Sequence, residues 1–248
     1  MEIIGAHGTK GKDSSLTTFL IDEKNIIDAG NLIIGLDDRF LEVENIFITH
    51  PHLDHIVDLP LIIDAKFEKL KHQINIFGIH EVLKVIKECI FNNSVWPDFS
   101  KINLINSDKP VIKYHEIEYN KVYKIGENSI MPFENNHTKG SCGFIINNYL
   151  MITSDTHICN NIYDILNENK DIKVLVTELS FPSFLHQLAI DSKHLTPKIL
   201  KDELSKLNRD DLKVYVNHIK FVYMDVIKKE IEEYGLNIEV LDEQQVLL

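Results

Sequence analysis

The chain has 248 residues, of which 44% are hydrophobic, and a formal net charge of -12. This length and apolar content predict a globular protein with its own core, and no linker, repeat or low-complexity segment divides it, so we expect one domain over residues 1–248. The acidic charge and the lack of a Lys/Arg-rich block argue against a partner such as long nucleic acid. A small phosphate substrate stays open, because bound metal ions supply positive charge locally.

The first residues, the apolar runs and the cysteines together predict where in the cell the protein is found. The first residues lack the basic start and apolar core of a signal peptide, and no apolar run approaches the ~20 residues that span a bilayer. The three cysteines, Cys89, Cys142 and Cys159, are widely spaced and odd in number, which is typical of reduced thiols. We therefore expect a soluble, cytoplasmic protein that binds no membrane.

Short runs rich in Ile and Val predict a series of strands. In chain order they are Thr17–Ile21, Asn25–Asp28, Asn45–Thr49, Gln73–Phe77, Gly143–Ile146, Leu150–Ser154, Val174–Glu178, Val214–His218 and Asn237–Leu241. Apolar residues at three- and four-residue spacing predict helices between some of them. These helices are Val57–Leu70, His80–Ile90, Ile158–Glu168, Thr196–Leu207 and Phe221–Glu233. Thr196 and Pro197 suit an N-cap and first turn, and Gly235 suits a helix end.

The segment Thr49–His55 reads THPHLDH and follows an apolar run of strand type. It carries three imidazoles and one carboxylate, namely His50, His52, Asp54 and His55. A strand that ends in a tight loop can direct all four at one point, and first-row metals such as zinc take these nitrogen and oxygen ligands. They are too many for one catalytic zinc with an open position, so the motif predicts two metals. The alternative is a solvated, His-rich loop.

Three further residues of metal-ligand type follow apolar runs that predict strands, and they are His137, Asp155 and His218. Open α/β architectures place functional residues at such strand ends. Each residue alone is more typical of an ordinary loop. Together with the motif they complete a set of seven ligands.

With these residues the chain resembles the metallo-β-lactamase superfamily, whose HxHxDH motif is matched by His50 to His55. The resemblance implies an α/β fold, a four-layer αββα sandwich of two mixed sheets with helices outside. It also implies the metal ligands, one ion held by His50, His52 and His137, a second by Asp54, His55 and His218, and Asp155 bridging. Zinc suits these ligands, and manganese or iron can occupy the same set.

Other segments resemble signatures of the class II 3',5'-cyclic nucleotide phosphodiesterases. They are Ile27–Gly30, FNNSVWPDF at Phe91–Phe99, Thr177–Pro182, KHLTP at Lys193–Pro197 and NHIK at Asn217–Lys220. The resemblance implies hydrolysis of cyclic AMP or cyclic GMP to nucleoside 5'-monophosphates by a hydroxide that bridges the metals. Asp58, Ser154, His157 and Phe221 depart from the family pattern. Of these, we expect Asp58 and His157 to alter the pocket mouth.

The remaining chemistry needs a base, an acid and a substrate slot. Asp54 is expected to orient the attacking hydroxide and accept its proton. His194 is the candidate proton donor, with Glu178 fixing its ring and raising its pKa, although a helix-capping context also explains His194. The substrate-binding candidates are Trp96 and Phe181 for the base and Lys220 for the phosphate, although core packing or a snorkelling lysine explains them as well.

Three other functions compete with this prediction. A tRNA 3'-end endonuclease fits the Glu/His pair, but the acidic charge and the lack of a Gly-rich basic insertion argue against it. A thioester or lactone hydrolase shares the first motif but not the HLTP and HIK segments. A non-enzymatic, metal-stabilised nucleotide sensor is disfavoured by the seven ligands and His194. The sequence leaves open the nucleotide, the metal in the cell and whether a homodimer forms.

Overall fold

The computed structural model describes residues 1–247. The chain forms two compact units, each with one mixed β-sheet. Unit 1 contains Met1–Ala6, Lys12–Ile117 and the C-terminal segment from Asp242, and unit 2 contains His7–Gly11 and Glu118–Leu241. The single domain over residues 1–248 stays a prediction.

The sheet of unit 1 has six strands in the order β1-β2-β3-β4-β5-β6. Their bounds are β1 Glu2–Gly5, β2 Thr18–Asp22, β3 Asn25–Ile27, β4 Asn45–Phe47, β5 Ile74–Gly78 and β6 Ile112–Glu116. The first three pair antiparallel, and β3 to β6 run parallel. Ile26, Ile46 and Ile76 lie side by side in register and are fully buried. Such β-branched side chains fit the pleated surface of a covered parallel sheet.

Within residues 1–247, unit 1 has three α-helices, α1 Leu53–Ile56, α2 Asp58–Lys66 and α3 His80–Val85. A 3₁₀ turn extends α2 through Lys69, and a π-helical turn extends α3 through Ile90. Helix α3 packs on β5 and β6 and buries Val82 and Leu83. Both predicted helices of this unit are therefore confirmed, while α1 and the 3₁₀ turn Asp37–Glu42 were not predicted.

The sheet of unit 2 has seven strands in the order β13-β12-β11-β10-β9-β8-β7. Their bounds are β7 Tyr123–Ile125, β8 Asn128–Glu134, β9 Cys142–Ile146, β10 Leu150–Ile152, β11 Val174–Glu178, β12 Lys213–Asn217 and β13 Glu239–Val240. Strands β7 to β10 pair antiparallel, and β10 to β13 run parallel. One buried cluster contains Phe133, Met151 and Leu175. A second contains Leu179 and Val216.

Four α-helices belong to unit 2, and they are α4 Asn160–Glu168, α5 His186–Asp191, α6 Pro197–Leu204 and α7 Met224–Glu233. The predicted N-cap is confirmed, because Thr196 Oγ1 accepts a hydrogen bond from the Ile199 amide at 3.3 Å and Pro197 opens the helix. The predicted stop after α7 is confirmed as well, since Gly235 has a φ of +64°. Helix α5 was not predicted.

Three strands, β1, β6 and β7, were not predicted, and β8 was indicated only by the apolar run before His137. Strand β6 reads IKYHE, and β8 contains Pro132, which lacks an amide donor and is unusual inside a sheet. The polar residues of β6 and the proline within β8 obscure the strand pattern in these two segments. None of the helices within residues 1–247 is long and apolar enough to cross a membrane.

Candidate metal centre

In unit 2 the strand directions bring the predicted ligands to one edge of the sheet. Strands β10, β11 and β12 are parallel and in register, so their carboxyl ends meet at the same edge. Asp155 follows β10, Glu178 is the last residue of β11, and His218 follows β12 directly. Strand β8 is antiparallel to β9, which is antiparallel to β10, so His137 after β8 reaches this edge too.

The distances among these side chains suit a metal ion. Asp155 Oδ2 lies 3.3 Å from His218 Nε2 and 3.8 Å from His137 Nε2. All three side chains are buried. Ligand atoms about 2.0–2.1 Å from a tetrahedral zinc lie roughly 3.3 Å from each other. Unit 2 thus holds three of the seven predicted ligands close together, with Asp155 beside both histidines.

The turns that carry these ligands have an unusual backbone. Ser154 and His218 have φ values of +55° and +61°, in the left-handed region that favours glycine. Such conformations cost free energy and occur mostly where the surrounding structure enforces them at functional sites. Asn135 contributes here, since its amide nitrogen donates to the carbonyl oxygens of Thr153 at 2.8 Å and Asp155 at 3.0 Å. The sequence analysis assigned no role to Asn135.

In unit 1 the THPHLDH segment leaves β4 as irregular chain and then forms the helical turn α1. Asp54 and His55 therefore lie on a helix, and the prediction of one tight loop is wrong for them. The ring centroid of His50 lies 4.6 Å from that of His52 and 4.1 Å from that of His55. Asp54 and His55 offer ligand atoms within 4.8 Å of each other. Unit 1 thus holds its four predicted ligands together.

Asp28 is a functional residue that the sequence analysis missed. It follows β3, which pairs with β4, and it is fully buried. Its carboxylate accepts hydrogen bonds from His55 Nδ1 at 2.7 Å, the Thr49 amide at 2.9 Å and Thr49 Oγ1 at 2.9 Å. Burial raises the pKa of Asp28, and the charge and hydrogen bonds of these partners oppose that rise. The only signal was its place in the Ile27–Gly30 segment.

Four of the predicted ligand histidines share one hydrogen-bond pattern, in which Nδ1 lies 2.7 to 3.1 Å from a protein oxygen. The pairs are His50 with Thr49 Oγ1, His55 with Asp28, His137 with the Lys193 carbonyl and His218 with Ser180 Oγ. A proton on Nδ1 leaves the lone pair on Nε2, which is the tautomer that ligates a metal through Nε2. This pattern fits a metal centre and assigns Nε2 as the ligand atom.

The predicted pair of Glu178 and His194 is in contact. Glu178 is fully buried, and its Oε1 accepts a hydrogen bond from His194 Nδ1 at 2.9 Å. Burial lowers the pKa of His194, but the charge and hydrogen bond of Glu178 outweigh it, so the pKa is raised above its ordinary value. The His194 ring centroid lies 5.0 Å from that of His137 and 5.4 Å from that of His218. The pair therefore borders two predicted ligands.

Two of the three substrate-binding candidates lie beside His194. The Phe181 ring centroid is 5.7 Å from that of His194, and Lys220 Nζ is 5.2 Å from the Phe181 ring centroid. Trp96 belongs to unit 1, where its amide donates to the Ile90 carbonyl at 3.0 Å after the π-helical turn. The role of each of the three in binding substrate stays a prediction.

Two of the residues that depart from the family pattern, Asp58 and His157, make defined contacts with the backbone. Asp58 is buried, and its Oδ2 accepts from the amides of Leu32 at 2.8 Å and Ile33 at 3.0 Å. The expectation that Asp58 alters a pocket mouth is therefore wrong, because its carboxylate anchors a loop. His157 Nδ1 bonds to the carbonyl oxygen of His194 at 2.8 Å.

The sequence is similar to a known family and to named phosphodiesterases and nucleases. The family model described as anti-Pycsar protein Apyc1 matches residues 13–220. A 3',5'-cyclic-nucleotide phosphodiesterase of Candida albicans is 27% identical over 108 residues, which are 44% of this chain and 24% of that protein. A ribonuclease Z of Thermoplasma acidophilum is 28% identical over 121 residues, 47% of this chain and 36% of that protein. The chain thus aligns with about a quarter to a third of these relatives' length.

The fold is similar to solved structures over nearly the whole chain. Unliganded yeast PDE1 matches with a TM-score of 0.79 and 18% identity, covering 98% of this chain and 97% of that one. YhfI of Bacillus subtilis, described as a metallo-β-lactamase fold protein, matches with a TM-score of 0.74 and 14% identity, covering 99% and 97%. These matches confirm the predicted α/β class and the metallo-β-lactamase fold.

Proposed function

Because the chain belongs to the family of the anti-Pycsar protein Apyc1, we propose that it is a metal-dependent phosphodiesterase that opens 3',5'-cyclic nucleotides, cyclic AMP or cyclic GMP, to nucleoside 5'-monophosphates. The observation that carries the proposal is the buried Glu178–His194 pair next to His137 and His218. It supplies an oriented acid beside metal ligands, which is what cleavage of a phosphodiester requires. The name of the Candida albicans relative supports the cyclic-nucleotide substrate.

In this proposal the seven predicted ligands hold two divalent ions. His50, His52 and His137 would hold one ion, Asp54, His55 and His218 would hold the other, and Asp155 would serve both. The nitrogen and oxygen donors support zinc, and manganese or iron accept the same set. When bound, two such ions neutralise charge on phosphoryl oxygens and bring the pKa of a water toward neutrality.

The protein's own residues then move two protons. Asp54, on α1, orients the attacking water toward phosphorus and accepts its proton. As the 3' oxygen leaves phosphorus it needs a proton, and the pKa of His194, raised by the neighbouring Glu178 carboxylate, favours the protonated ring that can supply it. Because Nδ1 of His194 is bonded to Glu178, Nε2 is the donor. Glu178 fixes the ring and stabilises its charge.

Substrate recognition completes the proposal. We assign Phe181 and Trp96 to the base, since an aromatic face stacks on a nucleobase, and Lys220 to the phosphate. The position of Lys220 over the Phe181 ring, next to His194, supports a substrate that lies along this edge of unit 2.

The test is turnover of cyclic AMP and cyclic GMP by protein of measured metal content, with products separated chromatographically. His194→Ala is expected to retain both metals and to lose about 10²- to 10⁴-fold in kcat, the usual contribution of a general acid. Asp155→Ala is expected to lose metal and activity together. His186→Ala, at an exposed position on α5, is the matched control. Metal-loaded protein that hydrolyses no phosphodiester contradicts the proposal, and turnover of other phosphodiesters alone corrects the substrate.

A second candidate is a tRNA 3'-end endonuclease. The ribonuclease Z similarity and the Glu178–His194 pair favour it, and the net charge of -12 disfavours it. A protein that grips tRNA phosphates binds with a steep salt dependence. We expect weak binding of precursor tRNA without that dependence, measured between low and physiological salt, and no cleavage.

We also propose the cytoplasm as the location and a small nucleotide as the partner, with neither long nucleic acid nor membrane bound. Cys89 and Cys159 form no disulfide, as is usual in a reducing compartment. A homodimer is compatible with this proposal. Cell fractionation tests the cytoplasmic location, and light scattering tests whether the protein forms a homodimer.

A further inference from the structure

Ser180 lies two residues after Glu178, beyond the end of β11, and is fully buried. Its Oγ lies 2.7 Å from Glu178 Oε2, 3.0 Å from His218 Nδ1 and 3.1 Å from His194 Nδ1. One hydroxyl therefore contacts a predicted metal ligand and both members of the candidate acid pair. Its contact with His218 belongs to the histidine pattern described above, but Ser180 has no part in the reaction steps proposed above.

The hydrogen bonds around Ser180 follow from what each group can give and accept. A carboxylate only accepts, so the Ser180 hydroxyl donates to Glu178 Oε2. The serine oxygen then accepts from Nδ1–H of His218, which leaves the lone pair of that ring on Nε2. His194 Nδ1 is closer to Glu178 Oε1, at 2.9 Å, and donates there. The network thus sets the proton position on both rings.

The backbone fixes the position of this hydroxyl. The Leu179 amide donates to the carbonyl of Asn217 at 2.9 Å, and the Lys220 amide donates to the carbonyl of Ser180 at 3.4 Å. The chain after β11 is therefore tied to the chain on both sides of His218. A hydroxyl held this way orients the histidine at little further entropic cost, since its own backbone is already ordered.

Glu178, His194 and His218 also have the spacing of a metal site, with ligand atoms within 4.8 Å of one another. However, the atoms that face one another are already hydrogen-bonded. Ser180 Oγ contacts Glu178 Oε2 and His218 Nδ1, and Glu178 Oε1 contacts His194 Nδ1. A metal ion there would have to break these hydrogen bonds. His218 Nε2 instead lies 3.3 Å from Asp155 Oδ2. The geometry favours a hydrogen-bonded support for the metal ligands over another metal.

We propose that Ser180 is a positioning residue that fixes the tautomer and orientation of His218 as a metal ligand and ties that ring to the Glu178–His194 pair. The assignment of the metal and the acid rests on the proposed function. Removal of the hydroxyl leaves the Nδ1–H of His218 and Oε2 of Glu178 without this partner inside the protein. Groups that orient metal-bound histidines in this way contribute strongly to metal affinity.

The test compares Ser180→Ala with Ser180→Thr, which keeps the hydroxyl. Zn²⁺ affinity is measured by competition with a chromophoric chelator, and the tautomer of His218 by ¹⁵N NMR of the metal-free protein. Ser180→Ala is expected to bind Zn²⁺ about 10- to 100-fold more weakly, to move the His218 proton toward Nε2 and to lower kcat more than it changes KM. Ser180→Thr is expected to restore all three. The control is Ser192→Ala, because the Ser192 hydroxyl donates to the Leu188 carbonyl at the end of its own helix and, within residues 1–247, hydrogen-bonds to none of the predicted ligands.

Wild-type Zn²⁺ affinity and an unchanged His218 tautomer in folded Ser180→Ala overturn the proposal. Should that variant fail to fold, Ser180→Cys fills the same space with a poor hydrogen-bond partner and decides between the same two outcomes. If the wild type cleaves no cyclic nucleotide but Ser180→Ala still loses Zn²⁺ affinity, the proposed function fails and the positioning role of Ser180 stands.

Discussion

Asp28→Asn changes one buried atom at the base of the metal-binding motif. The Asp28 carboxylate holds the Thr49 amide and hydroxyl on one side and His55 Nδ1 on the other. Asparagine has nearly the same shape and tolerates the φ of +59° that Asp28 adopts. The substitution therefore tests the hydrogen-bond chemistry and leaves the backbone unchanged.

The effect follows from the hydrogen bonds that asparagine can form. Its amide oxygen can keep the Thr49 amide, and its NH₂ group then faces His55 Nδ1, which lies 2.7 Å from the oxygen it replaces. Nδ1 must become an acceptor, so the proton moves to Nε2, the atom assigned to the metal. We expect metal affinity to fall about 10- to 100-fold, or roughly 1.4–2.7 kcal/mol. Because hydrogen bonds to a carboxylate are replaced by hydrogen bonds to a neutral amide, the free energy of unfolding should fall by about 1 kcal/mol.

The two effects are measured separately. Zn²⁺ affinity comes from chelator competition, and the free energy of unfolding comes from urea titration of the metal-free protein. Asp98→Asn is the control, because Asp98 accepts from Ser100 and pairs with Lys101 in the same unit. Folded Asp28→Asn with the Zn²⁺ affinity of the wild type would refute the reasoning.

Three further changes test single contacts. Thr196→Ala removes the cap of α6 and should lower the free energy of unfolding by about 1 kcal/mol, and an unchanged urea midpoint would argue against the cap. Gly8→Ala places a Cβ 2.7 Å from two ring atoms of His218 and 2.8 Å from its carbonyl oxygen. It should displace the ring and reduce metal content, so equal metal content would count against the contact. Phe133→Ala empties a fully buried ring position and should cost about 3–5 kcal/mol by urea titration, whereas a loss within error would mean that the core closes around the gap.

The sequence predicted the strands whose ends carry the ligands, and the reason is physical. Runs such as Val174–Glu178 are rich in β-branched residues because both faces of a parallel strand are covered. A His or Asp directly after such a run must lie at the sheet edge where the carboxyl ends meet. His218 and Asp155 were recognisable on this ground alone. The assignment of ligands to particular ions depended on the family resemblance.

The residues that orient the ligands were not predictable in the same way. Asp28 is 27 positions from His55, and Ser180 is 38 positions from His218. No local spacing marks such pairs, since the contact depends on which strands are neighbours in the sheet. The helical turn α1 was missed for a related reason, because four residues are too few to show a helical period.

In both units, a residue after one strand orients a predicted ligand histidine after the neighbouring parallel strand. In unit 1, Asp28 follows β3 and bonds to His55, which follows the neighbouring parallel strand β4. In unit 2, Ser180 follows β11 and bonds to His218, which follows the neighbouring parallel strand β12. In each case the residue after the adjacent strand supplies an oxygen that bonds Nδ1 of the histidine and leaves Nε2 for a metal ion. Changes at Asp28 and Ser180 should therefore weaken metal binding although neither residue is a ligand. Because both histidines are assigned to the same ion, we expect the losses in affinity of the double variant not to add.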